Sequence, residues 1–194
     1  MPRAGLSRAA VTDLALAVAD DAGPGGFEAL TLAAVAARAG VAVPSLYKHV
    51  AGLPDLCREV ALRAIEDFTA AIRAAADAAP GAEALRTVAR AIRAYALRHP
   101  ARYAAVQAAP GLGDDDGPLS AASAQVVAVL AESLAGAGIA APDPDAQVHL
   151  LRGLRAAVHG FVDLELRGGF GLPQDRDESF EHLLSVLVAG LGAP

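Results

Sequence analysis

An all-α fold is the expectation for this chain, and three observations lead to it. Hydrophobic residues make up 54% of the 194 positions but aromatics only 4%, so the core must be built mainly from Ala, Leu and Val. Alanine is the strongest helix former, and runs of β-branched residues are few. Apolar residues recur at helical spacing throughout, punctuated by Pro and Gly where helices would start and stop. About nine helices are expected, three and the start of a fourth in an N-terminal head and the others in a helical body.

The first helix covers 8–22, after Ser7, with Val11, Leu14, Ala15 and Val18 at i, i+3, i+4 and i+7. Gly23-Pro24-Gly25-Gly26 stops it. Lacking the GK[ST] ending of a phosphate-binding loop, this stretch reads as a plain turn. Phe27 and Leu30 are expected to fold back on the first helix. The second helix, 32–39, opens at Thr31, whose hydroxyl can cap first-turn N–H groups. Gly40 closes it, because glycine accepts the left-handed conformation of many helix stops. A short third helix, 43–49, has Pro44 in its first turn, where the missing N–H is not felt.

Helix, glycine-containing turn and short helix form the helix-turn-helix layout. The stretch 30–50, LTLAAVAARAGVAVPSLYKHV, is therefore predicted to enter a DNA major groove from a head spanning residues 1–50.

Residues 51–194 form the expected regulatory and dimerisation body. Pro54 suits the start of a long helix reaching about 79, with Leu56, Ala61, Ile65, Phe68 and Ile72 inward, which joins the head to the rest. Leu85, Val88, Ile92 and Tyr95 mark the next helix, and Pro100 starts a short one carrying Tyr103 and Val106. The segment 110–118, PGLGDDDGP, is the most loop-like part. Its Asp114-Asp115-Asp116 run lacks the alternating ligands and distant Glu of a calcium loop, so a solvated loop is expected there. A helix over 119–137 places Ser123, Val127, Leu130 and Leu134 on one face. The next, 145–167, is apolar nearly all round, as for a helix buried on most sides. In the last, Phe180, Leu183, Leu184, Leu187, Val188 and Leu191 make a stripe too broad to leave exposed, predicted to form an intersubunit four-helix bundle with its neighbour helix.

The longest stretch without Asp, Glu, Lys or Arg is 117–131, 15 residues, short of the roughly 20 that cross a membrane, so no span is expected. The single Cys57 forms no internal disulfide and suits a reducing cytoplasm. No metal cluster or cofactor motif is present. An enzyme finds little support without HExxH, a nucleophile elbow or a Cys–His motif. Net charge is −6, and residues 1–60 balance Arg3, Arg8, Arg38, Lys48 and Arg58 against Asp13, Asp20, Asp21, Glu28, Asp55 and Glu59. DNA binding would then rely on locally concentrated charge and helix N-termini facing phosphates.

Leu32, Val35, Ala36, Gly40, Val41, Ser45, Leu46, Tyr47, His49, Val50, Asp55 and Leu56 resemble the tetracycline-repressor-like (TetR) family of bacterial transcription regulators. The resemblance covers about residues 8–56, and GVAVPSLYKHV followed by Leu56 is far more specific than helix-turn-helix spacing alone. YALRHPARY (95–103) and LRAAVHGFVDLELRGGFG (154–171) look like the C-terminal domain of the subgroup with a Trp-His-Gly signature, with Ala157 or Val158 near the Trp position. The resemblance implies a homodimer, a double-stranded palindromic DNA operator, and release by a small-molecule effector bound in the body.

Carried onto this chain, it implies that Thr31 contacts phosphate and that Val43 and Pro44 meet base edges or thymine methyls. Ser45, Tyr47 and His49 would hold the backbone, and Lys48 would reach a base or phosphate. Leu53 stands where many relatives carry a phosphate-gripping Lys or Arg, and Ala42 where a capping Ser is common. Arg3 and Arg8 are therefore expected to supply much of the phosphate grip.

In the body, Tyr95, Tyr103 and Phe161 either line an apolar ligand pocket or fill the core. Arg155, His159 and Asp163, at i, i+4 and i+8, form a polar line that serves a ligand, a dimer partner or solvent. The sequence thus points to a ligand-responsive repressor. The alternative is a helical small-molecule binder whose head has lost DNA binding, suggested by the neutral head and Leu53.

Overall fold

The computed structural model describes residues 6–109 and 117–191. Arg3 and the Asp114–Asp116 run lie outside these residues. Among them the chain is helical with no strand. It comprises α1 (Arg8–Ala22), α2 (Leu32–Ala39), α3 (Leu53–Asp77), α4 (Ala82–Arg98), α5 (Pro100–Ala108), α6 (Pro118–Gly136), α7 (Pro144–Leu166) and α8 (Arg176–Gly190). Two 3-10 segments, Gly23–Gly25 and Val43–Lys48, flank α2. The expected helices are all present, but 43–49 is wound as a 3-10 helix. Ser45 N–H donates to Ala42 O at 2.9 Å and His49 N–H to Leu46 O at 2.8 Å, the i→i+3 pattern of short tight turns.

Two compact units form: Met1–Asp67 with His99–Ser123, and Phe68–Arg98 with Ala124–Pro194. The unit holding the head thus runs past residue 50 and takes in α5, which packs on α1 and on Gly23–Gly25. Arg102 of α5 fastens this grouping, donating to Asp20 of α1 at 2.9 and 2.8 Å and to Asp67 of α3 at 2.9 Å.

In the first unit, Val11, Ala15, Leu16, Ala19, Phe27, Leu30, Val35, Leu46, Val50, Leu56 and Val60 are buried. The inward face of α1 is turned from its expected position. Leu16 and Ala19 are buried while Leu14 and Val18 are only half-buried. Thr12 is tolerated inside because its hydroxyl donates to the Arg8 carbonyl at 3.1 Å.

In the second unit, α4 packs on α7 and α8. Ile72, Val88, Tyr95, Val129, Leu134, Val158, Val162, Phe180, Leu184 and Val188 are buried there. Tyr95 meets Phe68 edge-on with ring centres 5.2 Å apart, and Phe161 lies 4.7 Å from Phe170 and 5.0 Å from Phe180.

Four expectations about the body change. Only Val158 and Val162 of α7 are buried in the chain, and Val148 and Leu164 are exposed, so α7 is not enclosed on most sides. On α8, Phe180, Leu184 and Val188 of the expected intersubunit stripe are buried within this chain, leaving Leu183, Leu187 and Leu191 half-buried. On α6, the inward residues are Leu119, Val129, Ser133 and Leu134, and Val127 faces solvent. By length and composition α6 is also long and apolar enough to cross a membrane, contrary to the expectation of no such segment. Its Glu132 pairs with Arg73 and its Ser133 hydroxyl donates to Val129 O at 2.8 Å.

Candidate nucleic-acid interface

The turn between α2 and the recognition segment Val43–Lys48 is set by two local devices. Thr31 adopts extended backbone and its Oγ1 accepts from Ala34 N–H at 3.2 Å, capping the start of α2. At the other end Gly40 takes φ 67°, ψ 33°, which lets its own N–H and that of Val41 reach back to the carbonyls of Ala37 and Ala36. No side chain caps the recognition segment at Ala42; Pro44 has no N–H to offer, and the Ser45 N–H is taken up by the Ala42 carbonyl.

Burial then fixes which side of this segment faces outward. Leu46 and Val50 are fully inside, which turns Tyr47 (57% exposed) and Lys48 to solvent. In a 3-10 helix residues three apart eclipse, so exposed Pro44 shares a side with Tyr47, and half-buried Ser45 with Lys48. Val43 and His49 are half-buried at the two ends, and Thr31 is exposed at the start of α2. A phenol, an ammonium and a hydroxyl beside apolar Pro44 and Val43 suit phosphate contacts flanking a thymine methyl.

Arg8, expected to supply phosphate grip, is engaged within the chain. Its Nη1 donates to Asp55 Oδ2 and to the His49 carbonyl, both at 3.0 Å; its Nη2 donates to Asp55 Oδ1 at 2.7 Å and Glu59 Oε1 at 2.8 Å. Asp55 Oδ2 also accepts from Ala51 N–H at 2.8 Å. The Arg8 guanidinium, followed by the Ala51 N–H, holds the Asp55 carboxyl below the usual carboxylate range. The Arg8 charge is thus already matched by two carboxylates of α3. Nothing in the local sequence signals this arrangement, since 47 residues separate Arg8 from Asp55. Arg38, in the last turn of α2, is likewise paired with Asp21.

Residues 22–50 match the profile of bacterial regulatory proteins of the tetR family, and residues 85–187 match the tetracyclin repressor-like C-terminal domain. The chain is 34% identical over 186 residues to an HTH-type transcriptional regulator of Mycobacterium tuberculosis, Rv0681, covering 96% of this chain and 82% of that protein. The chain belongs to the TetR family. A second relative, the HTH-type transcriptional regulator YobS of Bacillus subtilis, is 29% identical over 190 residues, covering 98% and 95% of the two chains. The crystal structure of the regulatory protein SCO4313 superposes with a TM-score of 0.70 at 28% identity, covering 94% of this chain and 95% of that one. Like these TetR-family relatives, the chain is a helix-turn-helix DNA-binding transcriptional regulator.

The body residues singled out from the sequence of this TetR-family chain are dispersed. Tyr95 is buried against Phe68, half-buried Phe161 lies against Phe170 and Phe180, and Tyr103 is buried in the other compact unit. Arg155 is exposed, and Asp163 accepts from Arg167 Nε at 2.8 Å. His159, half-buried, has its pKa lowered by burial; Asp163 opposes this, and Arg155 and Arg167 add to it. An open groove of about 490 Å³ lies elsewhere, between the end of α6 and the start of α7, against Ile139, Asp143 and Gln147.

Proposed function

We propose that the chain is a ligand-released repressor that binds a palindromic operator as a homodimer. The observation that carries the DNA-reading part is the orientation of Val43–Lys48, with Leu46 and Val50 inward and Pro44, Tyr47 and Lys48 outward. In this reading Thr31, Ser45, Tyr47 and His49 hold phosphates, Lys48 reaches a phosphate or base, and Val43 and Pro44 touch bases. Two heads then engage half-sites separated by about one helical turn of DNA or a multiple of it.

The second copy is assigned to the outer faces of α7 and α8. Val148, Leu164 and Val186 are exposed there, beside half-buried Leu183 and Leu187, an apolar surface that a solvated chain gains by covering. Control by a small molecule is supported by the repressor-like C-terminal match over residues 85–187. A regulator that reads an operator works where the chromosome lies, so this reading puts the protein in the cytoplasm.

Selection from a random duplex pool tests the reading together with sedimentation. An enriched palindrome and a dimer at micromolar concentration are expected. Enrichment of no sequence at low salt would leave the small-molecule binder in its place, and a stable monomer would remove the α7–α8 assignment.

A further inference from the structure

We infer that Arg8 is a positioning residue that sets the recognition segment by clamping its C-terminal end to α3. The inference rests on Val43–Lys48 being the DNA-reading segment. The guanidinium spans three elements: it begins α1, takes the His49 carbonyl that ends the recognition segment, and forks onto Asp55 and Glu59 in the first two turns of α3. A helix-end carbonyl has no partner within its own helix, so an outside donor fixes the direction in which the segment stops. Asp55 completes the ring by accepting from Ala51 N–H, in the turn between the recognition segment and α3.

A fork onto a carboxylate is directional, unlike a point charge, so it constrains orientation as well as distance. The Asp55 side chain is only 16% exposed, against 45% for Arg8, so the anchoring end is sheltered and the approach side remains in solvent. The guanidinium also offsets one of the two negative charges of Asp55 and Glu59, which lessens their repulsion of a phosphate backbone.

A phosphate contact and a clamp make opposite demands on Asp55. Were Arg8 a phosphate anchor, Asp55 would compete with DNA for it, and Asp55→Asn would leave binding unchanged or tighten it. As a clamp, Arg8 needs that carboxylate, and Asp55→Asn weakens operator reading. Asn retains an oxygen that can accept from Ala51 N–H, so the variant removes the ionic fork while keeping the turn capped.

The test uses the full-length protein, its Arg8→Ala, Arg8→Lys and Asp55→Asn variants, the palindromic duplex selected by the unchanged protein, and a scrambled duplex of equal length. In the free protein, Arg8→Ala and Asp55→Asn are expected to speed amide exchange at His49 and Val50 by about fivefold relative to α1 amides. On DNA, both variants should lower the ratio of palindrome to scrambled binding by about five- to tenfold, with Arg8→Lys intermediate. The slope of log affinity on log salt should stay unchanged. Unchanged exchange at these amides overturns the clamp. So does a DNA result in which only Arg8→Ala weakens binding, equally on both duplexes, with the salt slope flattened by about 0.9. Selection of no palindrome by the unchanged protein overturns the DNA-reading assignment instead, and the exchange measurement then still decides whether the clamp exists.

Discussion

Arg93 of α4 grips Glu165 of α7 through two parallel hydrogen bonds, Nε to Oε2 and Nη2 to Oε1, each 2.7 Å. The two side chains are 13% and 6% exposed, and the guanidinium carbon lies 5.1 Å from the Phe180 ring centre and 5.9 Å from that of Phe161. Asp177, at the start of α8, adds a contact of 2.6 Å to Arg93. This one cation therefore ties α4 to both α7 and α8.

Removing Glu165 leaves the sheltered Arg93 guanidinium only the exposed Asp177 as a carboxylate partner, a loss that approaches the ~3 kcal/mol of a broken buried pair. Glu165→Ala is expected to lower unfolding free energy by about 3 kcal/mol, measured by denaturant titration followed by circular dichroism. The double change Arg93→Met with Glu165→Leu should recover much of that loss, because the one charge left without this partner, Asp177, is exposed to solvent. A loss below about 1 kcal/mol for Glu165→Ala would show that solvent screens the pair as it does on an open surface.

Gly26 and Gly40 are needed for different reasons, and Ala substitution separates them. At Gly26 a Cβ would lie 2.0 Å from the Ala19 carbonyl oxygen, a backbone atom that cannot swing aside. At Gly40 the space is open and the only obstacle is the left-handed φ of 67°. Gly40→Ala should cost about 1 kcal/mol. Gly26→Ala should cost more, about 2–3 kcal/mol, through forced displacement of α1. Melting temperatures in the reverse order would contradict this account of the two turns.

On the reading face, Lys48→Ala should weaken binding to the selected duplex and reduce the salt slope by about 0.9. Tyr47→Phe should weaken binding similarly on every sequence, since a phosphate contact carries no base information. Pro44→Ala should instead alter base preference at one position of each half-site. Fluorescence anisotropy across a salt series reads all three. Unchanged affinity in both Lys48→Ala and Tyr47→Phe would mean that another surface meets the DNA.

His159 gives stability a pH dependence of definite sign. Burial holds its folded pKa below the value of about 6.5 that the unfolded chain keeps. Between the two values the unfolded chain binds a proton that the folded chain does not. Stability therefore falls as pH drops through about 6.5 toward the folded value, and this contribution levels off below it. His159→Gln should lose less melting temperature than the unchanged protein between pH 7.5 and 5.5, a window chosen about the imidazole value. Equal losses would show that His159 titrates as a solvated imidazole.

Helix boundaries were legible along most of the chain because their signals are local. Ser7 and Thr31 cap through their own hydroxyls, Gly40 takes the left-handed turn, and Pro44, Pro100 and Pro144 sit in first helical turns. The inward stripe of α3, Leu56, Ala61, Ile65, Phe68 and Ile72, was legible for the same reason, with all five buried. The faces of α1, α6 and α8 were not. On Ala-rich helices several stripes are nearly equally apolar, and the neighbours choose between them.

Local chemistry, then, determined by itself where this chain turns helical, where the helix-turn-helix lies and which family it joins. Those features depend on residues a few positions apart. Only tertiary structure decided the partners of the arginines: Arg8 with Asp55 and Glu59, Arg93 with Glu165, Arg102 with Asp20 and Asp67. Arg8, expected to grip phosphate, is engaged by Asp55, Glu59 and the His49 carbonyl. Its sequence neighbours could not indicate this, because a charge finds its partner by proximity in space, and folding alone brings residues 8 and 55 together.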